Sequence, residues 1–498
     1  MKRPILLFPI ILLLVGCNSI LEVGIERTPT PDIAPAATMT AMASQISFLA
    51  TRVAMQATPT PPAPLDLGRL AYIQGGDVWI RTLPSGTPQR LTTDGHNSAP
   101  RWSPSGQWLA FRRERQVMVE QECDFPRTRP QICLESVPVL QMQVWVVEAD
   151  GNSMHLLSQG ASIDTFAWSP VDDRVAYLTA KSGLSMINAD GTDLVTLVPQ
   201  TAGDANGSGS VGRFLWDPGG TSIAYEWWVQ SPTQTLTYQG LWLVSVNGQE
   251  RVELYASDLP QKGEAILAGW SPQSRRIFFW QSAKPVASLA DGAPLYLVNA
   301  DKTQPKVNAP AQLETGEVTL SYADFIVPAP RGARPALRDE VALVVGSSRS
   351  TWKNKRIELA GRPISPEGWA AISPAWSPDG AYMAFVAALD RADLGSEEAI
   401  HSALMQRRIW VVDVAGESPP QRLTEGATFR EERPIWSADG GYLVFARMDA
   451  KGRASLWLTA VAGGAPRAVV DELTPAPDPV DSYGHIDWGT LFDWWRGA

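Results

Sequence analysis

"PAWSPDGAYMAFVAA", from Pro374 to Ala388, is a phrase that the chain repeats. Ser-Pro-x-Gly is tight-turn chemistry, because Pro pre-sets φ at one corner and Gly accepts a positive φ at the next. The residues up to Trp376 then read as a short β-strand, and "YMAFVAA" reads as its antiparallel partner. Near-copies stand at "APRWSPSGQWLAF" (Trp102), "TFAWSPVDDRVAY" (Trp168), "RFLWDPGGTSIAY" (Trp216), "LAGWSPQSRRIFF" (Trp270) and "RPIWSADGGYLVF" (Trp436). The gaps between successive Trp residues are 66, 48, 54, 106 and 60. The double-length gap predicts a degenerate copy midway, which places Phe325 in the Trp slot.

Downstream of two copies, "VWVVEADGNSMHLLS" from Val144 and "IWVVDVAGESPPQRLT" from Ile409 each read as a third strand, a polar Gly turn and a fourth strand. Four strands every fifty-odd residues is the period of a β-propeller blade. Trp recurs because each blade fills the same gap against the next, and Trp is the largest rigid apolar plug. The expected fold is therefore all-β, a propeller of four-stranded blades. "RLAYI", "DVWIRTL" and "QRLTT" lack a first strand, and "GHIDW" near the carboxyl end, with Trp488, reads as the strand they need. Joining the two ends closes the ring and leaves no sheet edge exposed. The count is eight blades, or seven if the Phe325 segment is an insertion.

The "WSPDG" of Trp376 to Gly380, followed by Ala and Phe, resembles the TolB-type, WD40-like propeller repeat, and the resemblance runs from about residue 67 to 498. It implies protein interaction in the cell envelope.

Before the repeats, "MKRPILLFPIILLLVGCNS" has a basic start and an apolar run too short to span a bilayer comfortably, the form of an export signal over residues 1–16. "LVGC" resembles the lipobox of bacterial lipoproteins, which implies acylation of Cys17; the other reading is an ordinary signal with an incidental Cys. Residues 17–66 are rich in Thr, Pro and Ala and suit a tether. Within it, 36–57 admits a short helix, with Met39, Met42, Ile46, Leu49 and Val53 at heptad spacing; self-association through 39–53 and a flexible stalk are the two readings. The expected location is extracytoplasmic, lipid-anchored to the cell membrane.

The chemistry is thin. A net charge of −10 excludes a phosphate-backbone partner unless a basic patch is gathered locally, and none is visible along the chain, so no nucleic-acid partner is expected. "GSGSVG" at 207–212 fits a dinucleotide fingerprint only in its glycines, since no helix follows, and a G-x-S-x-G elbow is absent. The turns at Glu148, Asn188 and Asn299 are fragments of calcium loops without the full ligand spacing. The four His residues fall in distant copies. No catalytic residue, metal or cofactor is expected. Cys123 and Cys133, in "CDFPRTRPQIC", read as a disulfide in an oxidising compartment, with free thiols as the alternative.

These signs point to a non-catalytic, membrane-tethered scaffold recognising an envelope protein or glycan. The alternative is a channel-centred lyase or hydrolase acting on a sugar or peptide. The loops leading into the first strands carry His96, Asn97, Asp164, Arg430, Glu431 and Glu432, expected to form one polar binding rim.

Overall fold

The Ser-Pro-Asp-Gly turn sets the geometry of each blade. After Trp376, the Ser377 amide donates to the Tyr382 carbonyl (2.9 Å) and the Gly380 amide to the Ser377 carbonyl (2.9 Å). The Ser377 hydroxyl donates to Asp379 (2.7 Å) and accepts from the Tyr382 amide (2.9 Å). Gly380 has φ +68°, and a Cβ there would lie 2.7 Å from that of Ala333, so both conformation and space call for glycine. Ser437, Asp439 and Gly440 repeat the arrangement. The turn registers Trp376 opposite Met383, as the second turn registers Trp436 opposite Leu443.

The computed structural model describes residues 65–497 apart from 123–133, 158–161, 205–206, 232, 234–235, 258–262, 272–275, 283–292, 301–310, 313–324, 338–339, 347–348, 392–393 and 476–480. The strands form eight antiparallel sheets, seven of four strands and one of five, and the protein is an eight-bladed β-propeller. Numbered along the chain by their innermost strands, blades 1 to 7 begin with Asn97–Trp102, Ile163–Trp168, Gly207–Trp216, Glu264–Trp270, Ile326–Pro328, Trp369–Trp376 and Phe429–Trp436. Blade 3 gains its fifth strand from Thr201–Asp204. In blade 1 the second and third strands, Trp108–Glu122 and Leu134–Glu148, run to fifteen residues each.

The recurrent Trp is more than a plug. The indole Nε1 of Trp168 donates to the Arg101 carbonyl (2.9 Å), that of Trp216 to Ala167 (3.2 Å), and that of Trp270 to Leu215 (3.4 Å). Trp376 and Trp436 donate likewise to Val327 (3.0 Å) and Ala375 (2.9 Å). Each acceptor immediately precedes the slot residue of the preceding blade, so one side chain fills the gap and bonds two blades.

Two sequence expectations are corrected here. The blade 5 slot holds Pro328, not Phe325, because the Ala329 amide bonds the Glu340 carbonyl across that hairpin as Ser377 bonds Tyr382. Phe325 lies three residues upstream, fully buried, with its ring edge-on to His485. The closing strand of blade 8 is Phe492–Trp495, not "GHIDW". It pairs antiparallel with Arg69–Gln74, inside Asp77–Thr82 and Gln89–Arg90, and sets Trp494 opposite Leu70. "GHIDW" cannot extend, since Gly484 has φ +81° and Asp487 caps a 3-10 turn at Trp488–Thr490. Among the described residues no helix is long and apolar enough to cross a membrane.

Candidate functional site

The expected rim does not assemble. Arg430, Glu431 and Glu432 sit within the inner strand Phe429–Trp436 and are buried, as is Asn97 in Asn97–Trp102; His96 and Asp164 alone of the six are exposed. "TFREER" reads as a polar loop, but Arg430, Glu431 and Glu432 pair inside the ring. Glu432 meets Arg407 (2.5 Å) and Arg430 (3.3 Å) through Oε1, and its Oε2 accepts from Trp488 Nε1 (2.9 Å). Burial pushes this carboxyl up, but the charges of Arg430 and Arg407 outweigh it and hold it below the usual range. Glu431 pairs with Arg447 (2.7 Å), whose guanidinium lies over the rings of Phe429 and Trp457. Asn97 donates to the Gly76 carbonyl and to Thr92 (3.0 Å each), bracing a turn. His96 lines a separate cavity of about 560 Å³ with Arg113, Arg115 and Trp145.

The segment Tyr483–Leu491, which leads into the closing strand, forms a strap across one end of the channel. Its Tyr483 carbonyl accepts from the Thr351 amide (3.0 Å), and Gly484 from Arg407 (2.8 Å). His485 lies against Phe325 of blade 5, Trp488 bonds Glu432 of blade 7, and the Gly489 carbonyl accepts from Arg101 of blade 1. Ile486 and Trp488 are buried. The strap therefore fills the space between inner strands on the side where the chain runs into them.

The other end, where the Trp residues and their turns lie, opens as a cavity of about 660 Å³. Its wall comes from the inner strands of blades 5 to 8, with Arg433, Asp493 and Arg496 as the charged side chains. Three inner strands share a device here. Ala99, Ser373 and Arg433 each precede Pro and adopt positive φ (50°, 51° and 50°), at the point where the register with the second strand slips. Pro donates no ladder hydrogen bond, so the strand bulges.

Arginines separated widely in sequence converge at this depth. Burial pushes the Arg101 guanidinium below its usual range; the charges of Asp493 and Asp487 oppose this, and those of Arg433 and Arg112 add to it. Asp493 also acts on Arg496, likewise lowered by burial. One oxygen of Asp493 accepts from the Trp102 amide (2.8 Å). The fold thus builds the local basic patch that the linear sequence hides. Repeat phase alone could place two of the arginines on inner strands, Arg101 one residue before its Trp and Arg433 three before, but not together.

A further buried carboxyl lies between blades 3 and 4. Glu226 accepts from the amides of Leu267 (2.8 Å) and Arg213 (3.1 Å), and desolvation overrides these bonds to push it up to about 7. A Cβ on Gly212 would come within 2.6 Å of its oxygen, which explains a glycine of "GSGSVG": the run is strand, not a nucleotide loop. Among the described residues, no three His, Cys, Asp or Glu side chains come together as metal ligands. The turn carboxylate of Asp150 is held by the Asn152 amide (2.8 Å). Cys17, Cys123, Cys133 and the segment 36–57 lie outside the described residues.

No family model matches the chain. An uncharacterized protein of Agrobacterium fabrum is 26% identical over 162 residues, 30% of this chain and 46% of that protein, so the chain spans less than half of this relative. Among solved structures, an oligogalacturonate lyase in complex with manganese is similar at 14% identity, over 84% of this chain and 90% of that one (TM-score 0.40). A puromycin hydrolase is similar at 11% identity, over 78% of this chain and 56% of that one (TM-score 0.46). A putative TolB from Agrobacterium tumefaciens is similar at 13% identity, over 80% and 86% (TM-score 0.29). These likenesses are of fold alone.

They do correct one step. The expectation of a non-catalytic scaffold for a protein or glycan rested on the TolB-type resemblance and on the lack of catalytic motifs, and the structures of similar fold include a lyase and hydrolases. The fold gives no ground for excluding an enzyme, and the scaffold reading is withdrawn.

Proposed function

We propose that the protein is a channel-centred enzyme, a lyase or hydrolase that acts on the end of a sugar chain in the cavity on the Trp side of the ring. The observation that carries this reading is the shape of the channel: open at one end, strapped at the other, with charged groups between. A blind well admits a chain end or a small oligomer, whereas a protein partner needs a broad face. Asp493 is the carboxylate among the lining residues, and Oδ1, its second oxygen, accepts no hydrogen bond from the described residues. We assign it the proton-transfer role, with Arg101 and Arg496 acting electrostatically beside it. The repeats themselves we assign to the TolB type on the six Trp motifs.

The test is incubation of the purified full chain with neutral, acidic and amino-sugar oligomers and with peptides, reading new reducing ends, new carbon–carbon double bonds and new amino termini. Cleavage of a sugar chain is expected, falling by about 10²–10⁴-fold in Asp493→Asn, which keeps an acceptor for the Trp102 amide. Cleavage of peptides instead, cleavage of nothing, or an Asp493→Asn variant at the wild-type rate would each overturn the proposal.

A further inference from the structure

We infer that the well binds an anionic group, a carboxylate or phosphate carried by the terminal sugar, through the guanidinium groups of Arg433 and Arg496. The inference rests on the well being the substrate site and deepens it. Charge balance is the first reason. Arg101 feels Arg433 and Arg112 as neighbouring cations and Asp493 and Asp487 as neighbouring anions, and Arg496 feels Asp493. The neighbourhood of Arg101 and Arg496 thus holds four guanidiniums, their own included, and two carboxylates, in a protein whose net charge is −10. Arg101, Arg112 and Arg433 are partly buried and Arg496 is exposed; gathering like charges in this way raises the energy of the ring, and an incoming anion lowers it.

Unmade hydrogen bonds are the second reason. Arg433 Nε is buried and makes no hydrogen bond among the described residues, and Arg112 Nε is in the same condition. Among the described residues, Arg496 reaches only the Trp436 carbonyl, at 3.4 Å. A buried donor without a partner is costly, and a planar guanidinium presents its donors in the fork that an oxyanion fits.

Position is the third. Arg433 occupies the bulge that holds Ala99 in blade 1 and Ser373 in blade 6. Either small residue satisfies that backbone, so a long cation at the third is there for what its side chain reaches. Arg433 lines the same cavity as Arg496 and Asp493.

The experiment measures binding rather than turnover, by calorimetry on the full chain with three probes: an oligouronate, a hexose phosphate and a neutral oligosaccharide of equal length. At least one anionic probe is expected to bind ten-fold or more tightly than the neutral one, and which one identifies the source of the charge. Arg433→Gln and Arg496→Gln are each expected to weaken that binding by about ten-fold or more with a melting temperature equal to or above that of the wild type, with Arg433→Lys recovering only part. Equal binding of the neutral probe, no binding of any probe, or full affinity in both Gln variants would overturn the inference. Tight anion binding without cleavage would sink the enzyme reading and leave this one standing, while cleavage of neutral chains with no preference for acidic ones would do the reverse.

Discussion

The buried carboxyl of Glu226 ties stability to pH. Its folded pKa of about 7 lies above the ordinary value of 4.5, so the folded protein holds this proton more tightly than the unfolded chain. The contribution is complete below the unfolded value and is lost as pH rises through the folded one, a difference of about 3 kcal/mol between mildly acid and neutral solution. Denaturant titrations across that window should show stability falling with pH, and Glu226→Gln should flatten that slope while lowering stability at acid pH. The Trp ladder makes a comparison possible. Trp376→Phe removes the bond to Val327 and should cost about 1–3 kcal/mol, whereas Trp102→Phe should cost less, since Trp102 Nε1 has no partner among the described residues. Equal losses in urea titrations would reduce the indole to a plug. The Trp residues were legible in the sequence because each carries its turn with it. Arg101, Arg112, Arg433 and Arg496 were not, because what unites them is the closure of the ring.

At the scale of elements, hairpins announced themselves and connections did not. The turn motif placed six of the eight slots, and the doubled gap that located a seventh missed Pro328 by three residues because its hairpin, from Ala329 to Glu340, lacks the Ser-Pro-x-Gly signature. "TFREER" was misread because charge density imitates a loop, while its two acids in fact pair with Arg407 and Arg447 inside the channel wall. "GHIDW" was misread because its Trp stands at nearly the right distance, though it serves the strap and not the blade. Trp488→Phe tests that role: it removes a hydrogen bond from Glu432 in a buried cluster that already holds Arg407 and Arg430. A loss of about 1–3 kcal/mol in thermal or denaturant melts is expected, and a neutral result would show that the strap does not anchor through this bond.

Across the whole molecule, the ring is completed by the residues that also close the well. Ile486, Trp488, Leu491, Phe492 and Trp494 are all buried, and burial of each such side chain is worth about 1.5–3 kcal/mol. Deleting 482–498 should therefore cost about as much as the whole stability of an ordinary domain and leave a chain that fails to melt cooperatively; a truncated protein melting within a few degrees of the intact one would refute the closure. Attachment through Cys17 is a separate proposal, carried by the "LVGC" motif. Cys17→Ser should move the protein from the membrane to the soluble fraction, or leave it unprocessed, and unchanged fractionation would count against the anchor.

The composite blade also sets a timetable. Leu67 and Trp494, joined by a hydrogen bond of 2.8 Å, are 427 residues apart in the chain. During synthesis the strand Arg69–Gln74 has no channel-side neighbour until nearly all of the repeats have been made. Blades can form one after another as the chain grows, but the first strands to emerge must wait for the closing one. The nascent protein thus carries an open β-edge through almost the whole of translation. If residues 1–16 act as the export signal that their sequence suggests, that delay favours passage across a membrane before the ring can lock.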